Sequence, residues 1–157
     1  MGLFSKSAIA LGLSGLLVAT ASFAGSHAKT DNKAVAARHA QMQLIAYSIG
    51  ILGATAKGEM EFDAEMVNSA ATNLNKMATL DPATLWIAGT EQGAVAGSRA
   101  KAEVWSDADG FAAAFEKLAS ASAALVGAAD AAAVGAGMGA LGGSCKECHE
   151  TYRGPKN

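Results

Sequence analysis

Apolar residues recur at spacings of three and four through most of the chain beyond residue 32. No stretch alternates with period two for long enough to build a strand. Four segments carry the helical pattern. The first runs from Asn32 to Lys57, with Val35, Met42, Ile45, Ile49, Leu52 and Ala56 on its stripe and Gly58 as its stop. The second starts at Asp63, a good N-cap, and carries Val67, Ala70, Leu74 and Met77 until Asp81-Pro82, because a residue before proline resists the helical conformation. The third begins near Ser106 or Asp107, with Phe111, Phe115, Leu118, Ser122 and Leu125 on its stripe and Gly127 as its cap. The fourth starts at Asp130, and its stripe of Val134, Met138 and Leu141 continues into Cys145 and Cys148. Four amphipathic helices with mostly short connections predict an all-α protein, an antiparallel four-helix bundle. The long connection from Asp81 to Lys101 contains the flexible "GTEQGAVAGS"; Trp86 and Trp105 flank that stretch and are expected to pin it to the bundle by burying their rings.

Gly135, Gly137, Gly139, Gly142 and Gly143 conflict with a fourth helix over this stretch. Each costs about 0.8–1 kcal/mol relative to alanine, and together they approach the whole stability of a small domain. Either they let something bulky pack closely, such as a covalently held apolar cofactor, or the helix starts later.

Residues 1–24 read as a secretory signal peptide: Lys6 opens it, Ala8 to Ala19 is apolar but too short to span a membrane, and Ser22-Phe23-Ala24 supplies small residues for cleavage. Cleavage after Ala28 is the alternative. Residues 25–157 then form one exported domain, periplasmic and free of any membrane anchor. Loss of Lys6 takes the formal charge from −2 to −3, and the charges are interspersed, so nucleic acid is not an expected partner.

Cys145 and Cys148 are the only cysteines, and His149 follows directly. Cys-x-x-Cys-His is the attachment signature of haem c. On a helix the two thiols share one face and can reach two vinyl groups of one porphyrin, while the imidazole turns toward the iron. A thioredoxin-type redox pair lacks its βαβ context. A zinc site needs about four ligands, and only His27 and His39 remain to supply imidazoles. A disulfide across this short spacing would gain little. No nucleophile, base or further metal cluster points to an enzyme.

The position of that motif at the C-terminus of a helical chain resembles the cytochrome c′ family. The resemblance covers most of the chain: "CKECHETYR" is similar to the family's C-terminal motif, "AARHAQMQLIAYSIGILGATAKGEMEFD" to its first helix and following turn, "GTEQG" to its haem-edge loop and "AEVWSDADGF" to its entry to the third helix. The resemblance implies a left-handed bundle with one haem c held between the helices. It also implies a homodimer through the first two helices, to which Leu44 and Ile51, off the stripe, would contribute. It places His149 as the proximal iron ligand and Met42 at the distal position. It directs Arg38 toward a haem propionate, His39 toward the haem, Thr90 and Glu91 into the loop over a haem edge, and Arg153 beside the proximal imidazole. Met42 divides the functional expectation. A methionine sulfur on iron makes an electron carrier with an unnamed redox partner protein; an open, crowded distal side makes a five-coordinate protein that binds nitric oxide or carbon monoxide. The small Ala40 and Ala46, with no aromatic at position 42, favour the sulfur.

Overall fold

The computed structural model describes residues 30–156. The expected signal peptide and its cleavage sites lie outside them. Five helices form among the described residues: α1 (Lys33–Ala56), α2 (Ala64–Ala78), α3 (Glu103–Ser106), α4 (Ala108–Ala123) and α5 (Ala131–Tyr152). Four are the expected ones, and α3 is a single turn ahead of α4. Side-chain carboxylates or amides start the long helices: Asn32 accepts from Val35 N, Asp63 from Met66 N, Asp107 from Gly110 N and Asp130 from Ala133 N. Gly58 (φ 72°) and Gly127 (φ 74°) turn the chain after α1 and before α5 in the left-handed region, where a Cβ is strained. Helix α2 ends at Ala78, earlier than Asp81-Pro82, which instead open a 3₁₀ turn over Pro82–Thr84.

α1 packs on α2 and α5, and α4 packs on the same two, so the four long helices form a closed ring. Cross-contacts show that neighbours run antiparallel. Gln41 Nε2 donates to Met77 O, Asn75 Nδ2 to Ala119 O and Gly127 N to Asn68 Oδ1. Lys117 pairs with Glu147, and Tyr152 reaches Asp107. The core is Ile45, Leu52, Val67, Leu74, Leu118, Leu125, Val134 and Leu141 with small alanines of α2. A second cluster, Val104, Phe111 and Tyr152 with Trp86, Trp105 and Phe115, closes the end where α3 and the long connection lie. The two tryptophans are half-buried and pin each other: Trp105 Nε1 donates to Trp86 O at 2.9 Å.

The glycines of α5 are inside the helix, so a later start does not explain them. Only Gly137 meets a close neighbour, Leu125, whose Cδ2 would stand 2.5 Å from an added Cβ. Gly135, Gly139, Gly142 and Gly143 have nothing within 4 Å of that position, and three of them are exposed. Close packing therefore accounts for one of the five.

Candidate functional site

Cys145, Cys148 and His149 project from the last two turns of α5 into a cavity of about 40 Å³ between α1, α4 and α5. Its other walls are Met42 and Ile45 from α1, Ala114, Phe115 and Leu118 from α4, and Ser144. The i, i+3, i+4 spacing on a helix puts the three α5 side chains on one face. All three are half-buried. Burial pushes both thiols above their ordinary range, so they stand as neutral thiols at neutral pH. Burial first, then the nearby Arg153 and Arg99 cations, lower the His149 pKa; its neutral imidazole keeps a lone pair for a metal. Ser144 brings the one hydroxyl in the lining, and that hydroxyl donates to Leu141 O at 2.8 Å.

Met42 therefore faces the same cavity as His149. Phe115 and Leu118 of another helix line that cavity beside it and supply bulk that position 42 itself does not. Ala40 and Ala46 are exposed and line no part of the cavity. Phe115 also lines a second space of about 550 Å³ bounded by Gln41, Trp86, Trp105 and Phe111, so this one side chain borders both spaces.

Arg38, one turn before Met42, is buried in α1. Its Nη2 donates to Thr90 O at 3.0 Å, and its guanidinium lies 4.8 Å from the Trp86 ring centre. Its Nη1 has no hydrogen-bond partner. A buried cation with a spare donor is a site for an anionic group. Thr90 is buried, with its hydroxyl on Ile87 O and its carbonyl held by Ser98 Oγ at 2.7 Å. Glu91 and His39 are half-buried, and neither lines the cavity. Arg153 is exposed at the C-cap of α5 and acts on His149 through its charge. Thus the structure groups Cys145, Cys148, His149 and Met42, and joins Arg38 to the Thr90 loop.

These donors fit a haem c. Two thiols and an adjacent imidazole share one apolar cavity, and the unpaired Arg38 Nη1 offers a charge-assisted bond to a propionate. Sequence reasoning placed Phe115 and Leu118 on a core stripe without assigning them to the site. Their only signal there was the shared face of α4.

Comparison with known proteins agrees. The family model described as Cytochrome C′ matches residues 33–153. A cytochrome c′ of Cereibacter sphaeroides is 41% identical over 121 residues, covering 76% of this chain and 81% of that protein. Among solved structures, a cytochrome c′ from Rhodobacter Spheriodes superposes with a TM-score of 0.74 at 39% identity, covering 78% of this chain and 96% of that one. A variant of cytochrome c prime from Alcaligenes xylosoxidans, solved as its nitric oxide complex, gives 0.67 at 31% identity, covering 78% and 94%.

Proposed function

Because the chain belongs to the cytochrome c′ family, we propose that it is an exported haem c protein, not an enzyme, which binds nitric oxide or carbon monoxide at a haem iron that His149 alone of this chain would hold. When bound, the haem supplies a redox-active iron with a coordination position for a diatomic ligand. Cys145 and Cys148 attach it by thioethers. Arg38 offers its free Nη1 to a propionate, and Thr90 holds the Arg38 side chain in place. The observation that carries this reading is the crowded lining of the cavity that His149 enters, where Phe115 and Leu118 join Met42 and Ile45. Bulk there excludes large ligands. With both thiols converted to thioethers, the lining also offers no free hydrogen-bond donor besides His149, which favours neutral diatomic molecules over anions. The nitric oxide complex of the Alcaligenes protein supports the same reading.

One observation favours a second reading: the Met42 side chain lines the cavity that His149 enters. With its sulfur as sixth ligand the protein is an electron carrier serving a redox partner protein. Absorption spectra of the purified protein in both oxidation states separate the two. High-spin spectra and ready carbon monoxide uptake are expected; low-spin spectra in both states, with a weak thioether band at the red end, would establish the carrier instead.

The exported location rests on residues 1–24, and no described helix is long and apolar enough to cross a membrane. Self-association is proposed through α1, where Leu44 and Tyr47 stand on one face at 52% and 70% exposure. Ile51, expected beside them, packs partly on the core instead.

A further inference from the structure

Asp107 and Tyr152 make a contact that attachment through Cys145, Cys148 and His149 does not require. Tyr152 Oη donates to Asp107 Oδ2 at 2.6 Å, and Oδ1 of the same carboxylate accepts from Gly110 N at 3.3 Å. The carboxylate thus ties the start of α4 to the end of α5. Their approach depends on a glycine. A Cβ at Gly110 would fall 2.6 Å from Tyr152 Oη and 2.8 Å from Asp107 Cγ. Tyr152 lies three residues beyond His149 and four beyond Cys148, one turn along the same face of α5. Its side chain is buried, meets Phe111 edge-on at 5.1 Å, and shares that cluster with Cys148. Tyr152 O accepts from Lys101 N at 3.0 Å, which anchors the same turn to the long connection.

We propose that Tyr152 and Asp107 are a positioning pair for the proximal side: they fix the last turn of α5, and the carboxylate they hold there lowers the reduction potential of the iron bound by His149. A fixed negative charge favours iron(III) over iron(II), and at the exposed Asp107 water screens the effect without removing it. The phenol's hydrogen bond moderates that charge, and Arg99 and Arg153 oppose it. The inference rests on His149 as axial ligand and holds whatever faces it across the iron.

The test is a redox titration of the holoprotein, the Asp107→Asn variant and the Tyr152→Phe variant, with covalent haem verified by mass. Asparagine keeps Oδ1 as the acceptor for Gly110 N and turns Nδ2 toward the phenol, whose oxygen then accepts instead of donating, so it removes charge and keeps the contact; the midpoint should move positive. Phenylalanine keeps the ring and leaves the carboxylate unmoderated; the midpoint should move negative. Opposite shifts support the pair. Shifts of one sign, or melting temperatures that fall while both midpoints stay put, reduce it to a structural tie and overturn the proposal. If Asp107→Asn does not load haem, Asp107→Ser, also a neutral cap, takes its place with the same expected sign. Failure of the His149 assignment would show separately, as an unmutated protein whose spectrum lacks an imidazole-ligated haem c.

Discussion

Met42 and Phe115 approach, from different helices, the cavity that His149 enters. With an open sixth position, Met42→Ala should leave the iron high-spin and speed carbon monoxide binding by roughly tenfold, equivalent to ~1.4 kcal/mol of steric relief. Flash photolysis measures this, and a change of spin state on mutation would instead identify Met42 as a ligand. Tyr152 gives a prediction in pH. Its hydrogen bond to Asp107 raises its pKa from 10 to about 12. The folded state therefore prefers the neutral phenol: this contribution is complete below pH 10 and is lost as pH rises through about 12. Denaturant midpoints between pH 9 and 12 should fall in the unmutated protein and fall less in Tyr152→Phe. The Cys145, Cys148 and His149 site was legible in the sequence because its three residues are local and their spacing is itself the signal. The Phe115 and Leu118 wall was not, since nothing local to α4 tells which neighbour a buried stripe meets. Arg38 was placed by resemblance; its unpaired Nη1 is visible only in the fold.

At the scale of elements, the stripes located the helices well because four polar caps bracket them. The stripe of α1 was drawn slightly off its true face. The residues that bury deepest there are Val35, Arg38, Gln41, Ile45, Ser48, Leu52 and Thr55, while Met42, Ile49 and Ala56 are only half-buried. Apolar periodicity cannot find a buried face that is more than half polar. Helix α3 escaped notice because one turn has no period to read. In α5 the glycines make a paired prediction. Gly139→Ala adds a methyl group to open space and should stabilise by about 0.5–1 kcal/mol through helix propensity. Gly137→Ala drives a Cβ against the fully buried Leu125, where overpacking costs about 1–3 kcal/mol and outweighs the same gain. Thermal melts of the two holoproteins should move in opposite directions. If both rise, Leu125 yields freely and Gly137 has no packing role.

The whole molecule joins two unlike halves. Toward one end, α1, α2, α4 and α5 close over an aliphatic core of Leu52, Val67, Leu125 and Val134. Toward the other, aromatic side chains and a long connection surround the thiols and the imidazole, with spaces of about 40 and 550 Å³ beside Phe115. Volume is thus kept at the end that carries the attachment residues, and close aliphatic packing at the end that does not. This division was hidden from the sequence, where both halves show the same helical period. The outer face of α1 decides the last question, assembly. Leu44 and Tyr47 are one turn apart on it and are the large apolar side chains most exposed among the described residues. Large apolar groups left together in water mark an interaction surface, and an antiparallel pairing of two copies through this face would cover both at once by two-fold symmetry. Sedimentation at micromolar concentration should give a dimer mass. Leu44→Glu with Tyr47→Glu should give a monomer with unchanged helical circular dichroism and unchanged haem spectrum, because neither side chain reaches the cavity. A monomer mass for the unmutated protein would mean that this face stays in water. A dimer that survives both glutamates would place the contact on another helix.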